Sequence, residues 1–294
     1  GNGTVNFGGN SNVAGSVGSG GLDIGTVNVN GASGKIVNLQ YTADPSTLIN
    51  NLNFGGNGTI ILNGGSYINS IASLTSGYGT VQVSATGNLN IYAGVGSALL
   101  PIAAIAVNAD TVHFNGALNV YANDLIITNN GSFVFDSGSN YTGNGITTTD
   151  GTGRLELGGT STITGTVGAS GANISTISAG ANGATDIFNN NVYANNINFT
   201  GTGLIELANG VNYNTGSGTG ITTSNTGQGT LTFLGASSTG GNIGQSGTPI
   251  AAVNVNGGIV TLNNNIYATT TTVNSGGTLK LGSGETIGGA LTVA

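Results

Sequence analysis

The sequence predicts an all-β chain wound into a right-handed parallel β-helix, a β-solenoid of about 12–15 coils. Three observations predict it. One motif returns four times at a nearly fixed step. The text between the motifs alternates apolar and polar residues in short runs. Gly and Asn interrupt those runs wherever a winding chain has to turn.

The repeat comes first. Gly1-Asn2-Gly3-Thr4-Val5-Asn6-Phe7 returns as Gly77-Tyr78-Gly79-Thr80-Val81-Gln82-Val83, as Gly151-Thr152-Gly153-Arg154-Leu155-Glu156-Leu157 and as Gly227-Gln228-Gly229-Thr230-Leu231-Thr232-Phe233. The second Gly of each copy falls at 3, 79, 153 and 229, so the steps are 76, 74 and 76 residues. Four repeats follow, approximately 1–76, 77–150, 151–226 and 227–294. Other landmarks keep their order in each copy that has them. One is Val17-Gly18, Val95-Gly96, Val167-Gly168 and Ile243-Gly244. Another is Val120-Tyr121-Ala122, Val192-Tyr193-Ala194 and Ile266-Tyr267-Ala268, with Tyr41 as a weaker first-copy counterpart. A last one is Tyr67, Tyr141 and Tyr213. A long fixed period marks a stacked, quasi-one-dimensional fold.

The strands come next. In Gly229-Thr230-Leu231-Thr232-Phe233 the period of two points Leu231 and Phe233 one way and the threonines the other. Such runs are three to six residues long and rich in β-branched residues. Gly interrupts the chain too often for a helix. A sandwich does not explain a repeat near 75 residues, whereas three or so coils of roughly 20–25 residues do. Inward Val, Ile and Leu would stack on like residues, and outward Thr and Asn would form polar ladders.

Composition sets the outer limits. Charged residues are 4% of the chain, against roughly 25% in an ordinary soluble domain. Ten acids and three bases leave a net charge of −7, which excludes a basic footprint for nucleic acid. With 37% hydrophobic residues in ordered alternation, the chain does not read as disordered. Its longest apolar stretch, Ala98 to Val107, carries Pro101 and is too short to span a bilayer as a helix, so no direct membrane insertion is expected. There is no Cys, hence no disulfide and no thiolate metal site. Neither an initiating Met nor a charged-then-apolar leader is present, and the expectation is one solenoid segment, 1–294, of a longer chain with uncapped ends.

The chemistry-bearing residues are few. His113 alternates outward between Val112 and Phe114 and reads as a ladder residue. Among the acids, only Asp110 with Asp124, and Asp124 with Asp136, look like coil-to-coil neighbours. Glycoside cleavage needs a carboxylate pair at defined separation, and no Arg or Lys stands near these, so turn and cap roles are the expectation. Gly20-Gly21-Leu22-Asp23 does not match the Ca²⁺-binding nonapeptide. Thr269 to Thr272 and Thr147 to Thr149 are the only dense Thr runs, too few for an ice-binding face. No catalytic residue, cofactor or metal is therefore assigned. Tyr121, Tyr193 and Tyr267 alternate outward and are the candidate binding residues, as an aromatic file on one face. The structural alternative has each Tyr lying flat over neighbouring Thr and Asn.

Coils such as Gly257-Gly258-Ile259-Val260-Thr261-Leu262-Asn263-Asn264-Asn265-Ile266-Tyr267-Ala268 and Val273-Asn274-Ser275-Gly276-Gly277-Thr278-Leu279-Lys280-Leu281 resemble autotransporter passenger domains. The likeness is nearest to the large surface antigens of rickettsiae, of the outer membrane protein A and B type. It covers the whole chain through its Gly/Asn/Thr-rich style and repeat length. The resemblance implies a segment on the outer face of a Gram-negative outer membrane, anchored by a C-terminal β-barrel. Host-cell or neighbouring surface proteins are the implied partners. No binding residue carries over, because no family binding motif is visible. The functional expectation is a non-enzymatic structural or adhesive stalk. The alternatives are a polysaccharide-binding or polysaccharide-cleaving β-helix of tailspike or lyase type, in which Asp110, Asp124 and Tyr121 would converge, and a surface layer or filament self-assembled through the solenoid ends.

Overall fold

The computed structural model of the chain describes residues 2–15, 17–18, 23–40, 47–84, 87–149 and 151–294. Tyr41, Asp44, Asp150 and the segment Gly20-Gly21-Leu22 lie outside the described residues. The chain divides into two units, Gly1–Thr149 and Asp150–Ala294, at the junction of the second and third repeats. Described residues form 32 strands and no helix. Strand pairs run parallel, and the units together hold about 12 turns of β-solenoid.

In the first unit each turn carries like residues back over like residues. Val27 pairs with Leu52, Leu52 with Ile71, Ile71 with Val95, Val95 with Val120 and Val120 with Tyr141. A second column runs Val37, Ile60, Val81, Ile105, Leu125 and Ile146. All twelve side chains are buried. One turn takes between 19 residues, as from Leu48 to Tyr67, and 26, as from Ser11 to Val37. Burying each such side chain contributes about 1.5–3 kcal/mol, so columns stabilise the unit without disulfides.

The second unit repeats the scheme. Leu155, Ile177, Ile197, Ile221, Ile243, Ile266 and Ile287 form one unbroken column. Ile163, Phe188, Leu207, Phe233, Val255, Val273 and Val293 form another. Val293, the last rung of the second column, is 73% exposed, and Leu291, two residues before it, is 52% exposed.

Outward positions carry polar ladders. Asn28 donates to Asn6 at 2.7 Å and Asn53 to Asn28 at 3.1 Å. Asn63 donates to Asn38 at 2.6 Å, and Ser84 donates on to Asn63. The second unit shows Ser238 donating to Asn212 at 2.6 Å and Asn274 to Asn256 at 2.7 Å. Asn suits these rungs because its carboxamide carries its donors and its acceptor on separate atoms, so one side chain can serve the turns on both sides. The Thr run 269–272 makes no flat array: Thr271 is buried, and Thr270 lies between Ala252 and Ala290.

The repeated Gly-x-Gly now has a physical reason. Both glycines have positive φ in the second, third and fourth copies. A Cβ on Gly79 would come within 2.0 Å of the Phe54 ring, and one on Gly229 within 2.2 Å of the Phe199 ring. The aromatic residue ending one strand thus packs over bare backbone at the start of another. Gly3, in the first copy, has nothing within 4 Å. Gly79→Ala and Gly229→Ala are each expected to cost at least about 1–2 kcal/mol for the left-handed backbone alone, with the ring displacement added. Gly3→Ala should stay within about 0.5 kcal/mol. Urea unfolding of the three variants measures this, and equal midpoints would refute the account.

Candidate functional site

Asp110, Asp124 and Asp136 do not become coil-to-coil neighbours. Their spacings of 14 and 12 residues fall short of a turn of 19 to 26. Asp124 lies between Ala104 and Gly145, and Tyr121 lies opposite Thr142. The Asp110 Oδ2 accepts from the Gly87 N–H at 2.6 Å, a loop-fixing role. Asp136 accepts from the Gly116 N–H at 2.9 Å.

Asp136 also meets His113, which the alternation correctly placed outward between buried Val112 and Phe114. The Nε2 to Oδ1 distance is 2.8 Å. Partial burial pulls the Asp136 pKa upward, but the Gly116 N–H and the His113 ring outweigh it and hold the carboxyl below its ordinary value. The pair bridges neighbouring turns, as the Asn pairs do. No group of three or more His, Cys, Asp or Glu suited to a metal occurs among the described residues.

Alternation did not single out Asp186. It sits in an inward column, between Ser161 on one turn and Ile205 on the next. It is fully buried, with Oδ2 accepting from the Gly180 N–H at 2.7 Å and Oδ1 left without a hydrogen bond. Burial pushes its pKa from 3.8 to about 7, against the opposing backbone N–H groups of Gly180 and Ser161. The pattern Thr185-Asp186-Ile187-Phe188 was the available signal, since Phe188 inward requires Asp186 inward.

Tyr121, Tyr193 and Tyr267 face outward and are half-buried, between buried neighbours on either side. Each stands one turn from a glycine of the Val-Gly landmark. Val95 pairs with Val120, Val167 with Val192, and Ile243 with Ile266. A Cβ on Gly96, Gly168 or Gly244 would come within 2.3, 2.1 or 2.0 Å of the Tyr121, Tyr193 or Tyr267 carbonyl oxygen. Two landmarks found separately in the sequence are therefore one stacked corner.

The other Tyr landmark, Tyr67, Tyr141 and Tyr213, splits. Tyr141 and Tyr213 are buried, and burial raises both phenols above their ordinary range. The Tyr141 hydroxyl donates to the Gly145 carbonyl at 2.8 Å, and that of Tyr213 to the Gly220 carbonyl at 3.0 Å. Tyr67 points out instead, 41% exposed, because buried Ser66 and Ile68 flank it. Its ring lies 6.1 Å from that of Tyr92, with planes 9° apart. Tyr92 is 47% exposed. Burial raises the Tyr92 pKa, and neighbouring Tyr67 adds to the rise. The strand Leu89–Val95 is shifted in register against Ser66–Ser73 between Ile68 and Ser70. That irregularity leaves Tyr92 and Ala93 both exposed. Asp23, Leu48, Ile49, Asn50, Tyr67, Asn69 and Tyr92 line a concavity of about 240 Å³ there. Sequence reading missed Tyr92; its signal was the three-residue gap between inward Ile91 and Val95, where the two preceding turns, Ile49 to Leu52 and Ile68 to Ile71, have two.

Comparison of the chain with protein-family models, curated proteins and solved structures finds no match.

Between pH 3.8 and about 7 the folded chain retains an Asp186 proton that the unfolded chain has released. Stability is therefore expected to fall as pH rises through that window and to level off above it. Asp186→Asn should flatten this dependence in thermal melts taken from pH 4 to 8. An unchanged slope would remove Asp186 as its source.

Proposed function

We propose that this chain is a non-enzymatic structural or adhesive segment of a protein displayed on a Gram-negative cell surface, of the autotransporter passenger kind. The observation that carries the reading is the construction of both units from turn stacked on turn. The acids flagged in the sequence are spent on loop N–H groups or stand apart in register. A scaffold of this sort exposes long polar ladders and serves as a carrier of surfaces. The lack of Cys suits a chain threaded unfolded through an oxidising periplasm. Stepwise addition of turns, each contacting only its neighbours, suits folding after export without an energy source.

Antibodies against residues 1–294 should label intact cells producing the parent protein, and external protease should remove that label. Labelling only after the outer membrane is permeabilised would overturn the surface assignment. Purified chain incubated with neutral and acidic polysaccharides should release no new reducing or unsaturated ends. Release would restore the cleaving alternative.

A further inference from the structure

We propose that the corner built by Tyr67, Tyr92, Asn50, Asn69 and Asp23 is a saccharide site that takes one neutral, hydroxyl-rich sugar ring. The argument rests on how polar side chains behave elsewhere in the unit. Several outward asparagines there are tied from turn to turn: Asn6 to Asn28, Asn28 to Asn53, Asn38 to Asn63. Adjacent to the corner, Asn51 donates to the Gly25 carbonyl and accepts from Ser70. The carboxamides of Asn50 and Asn69, the Asp23 carboxylate and both Tyr hydroxyls have no such bonds among the described residues. Five polar groups therefore stand unused around one concavity.

Those groups define a ligand. Carboxamides and a carboxylate together donate and accept, which matches vicinal hydroxyls. Exposed aromatic rings present flat faces to an apolar C–H surface while their polar tips remain wet. Near-parallel rings with centroids 6.1 Å apart leave no room for a ring between them, since two contacts of about 3.5–4.0 Å are required. The sugar must lie against the exposed faces, with its hydroxyl edge toward Asn50 and Asn69. The volume, about 240 Å³, lies below that of drug-sized pockets and suits one ring. Asp23 and the net charge of −7 disfavour polyanions. Three inward-facing neighbours, Ile49, Ile68 and Ile91, are buried beneath the corner and hold its backbone.

The inference stands on these side chains alone and not on surface display. Neutral oligosaccharide arrays, followed by saturation-transfer NMR on the hits, test it with purified 1–294. At least one neutral glycan should bind, with C–H protons of one ring face saturated most. Tyr67→Ala and Tyr92→Ala should each weaken binding about tenfold or more, and Asn69→Ala several-fold. Tyr92→Phe should retain most affinity. No neutral glycan bound, affinity unmoved in Tyr67→Ala/Tyr92→Ala with circular dichroism unchanged, or binding only of sialylated or quaternary-ammonium compounds would each overturn it. Cell labelling is unaffected by these outcomes, so the two readings fail separately.

Discussion

Each residue in a β-solenoid lies against its counterpart one turn away, about 4.8 Å distant. That one constraint governs which side chains this chain uses. Inside, it rewards Ile on Ile, as in the column from Ile177 through Ile197, Ile221 and Ile243 to Ile266. Outside, it rewards Asn, whose carboxamide donates to one neighbour and accepts from the other, as Asn28 does between Asn6 and Asn53. It penalises charge. Like charges stacked at this spacing repel by about 1 kcal/mol even in water, and by more near a protein surface. A chain with 4% charged residues is the natural result.

The same constraint explains the glycines. Close stacking brings one turn's backbone onto the next at the corners. Gly96, Gly168 and Gly244 each lie where a Cβ would strike a Tyr carbonyl, and Gly79 and Gly229 where it would strike a Phe ring. Periodicity in the sequence is the trace of these contacts. At Gly79 and Gly229 a phenylalanine ring fills the space a Cβ would need, whereas at the Val-Gly corners the neighbouring backbone itself demands glycine.

Most of the fold was legible for that reason. Period-two runs set the inward faces, and the repeat of Gly-x-Gly set the winding. The candidate site was less legible. The spacing of Asp110, Asp124 and Asp136 suggested neighbours, but register depends on the summed lengths of corners, which vary from turn to turn. The exposed face of Tyr67 was readable from its flanks: Ser66 and Ile68 turn it outward, while Asn140 and Thr142 turn Tyr141 inward. A one-residue change of phase reverses a strand's faces, so equal motif position did not mean equal environment. The Asp136 partner of His113 lies 23 residues on, a distance that only the completed register reveals.

Specific recognition in such a scaffold must reside where like-on-like stacking fails. A carboxamide satisfied from both sides has nothing to offer a ligand, and an Ile column is sealed. The departures are few and differ in kind. Asp186 interrupts an inward column and is closed to solvent, so it bears on stability. His113 and Asp136 depart in residue type but satisfy each other. At Tyr92 a register shift puts an extra residue on the outer face, and the neighbouring Asn50 and Asn69 fall out of the ladder. Of these departures among the described residues, this one joins exposure, aromatic surface and unused polar groups. Solenoid geometry seals its inner columns and ties many of its outer asparagines to one another, and against that background the corner stands out as a place for a partner.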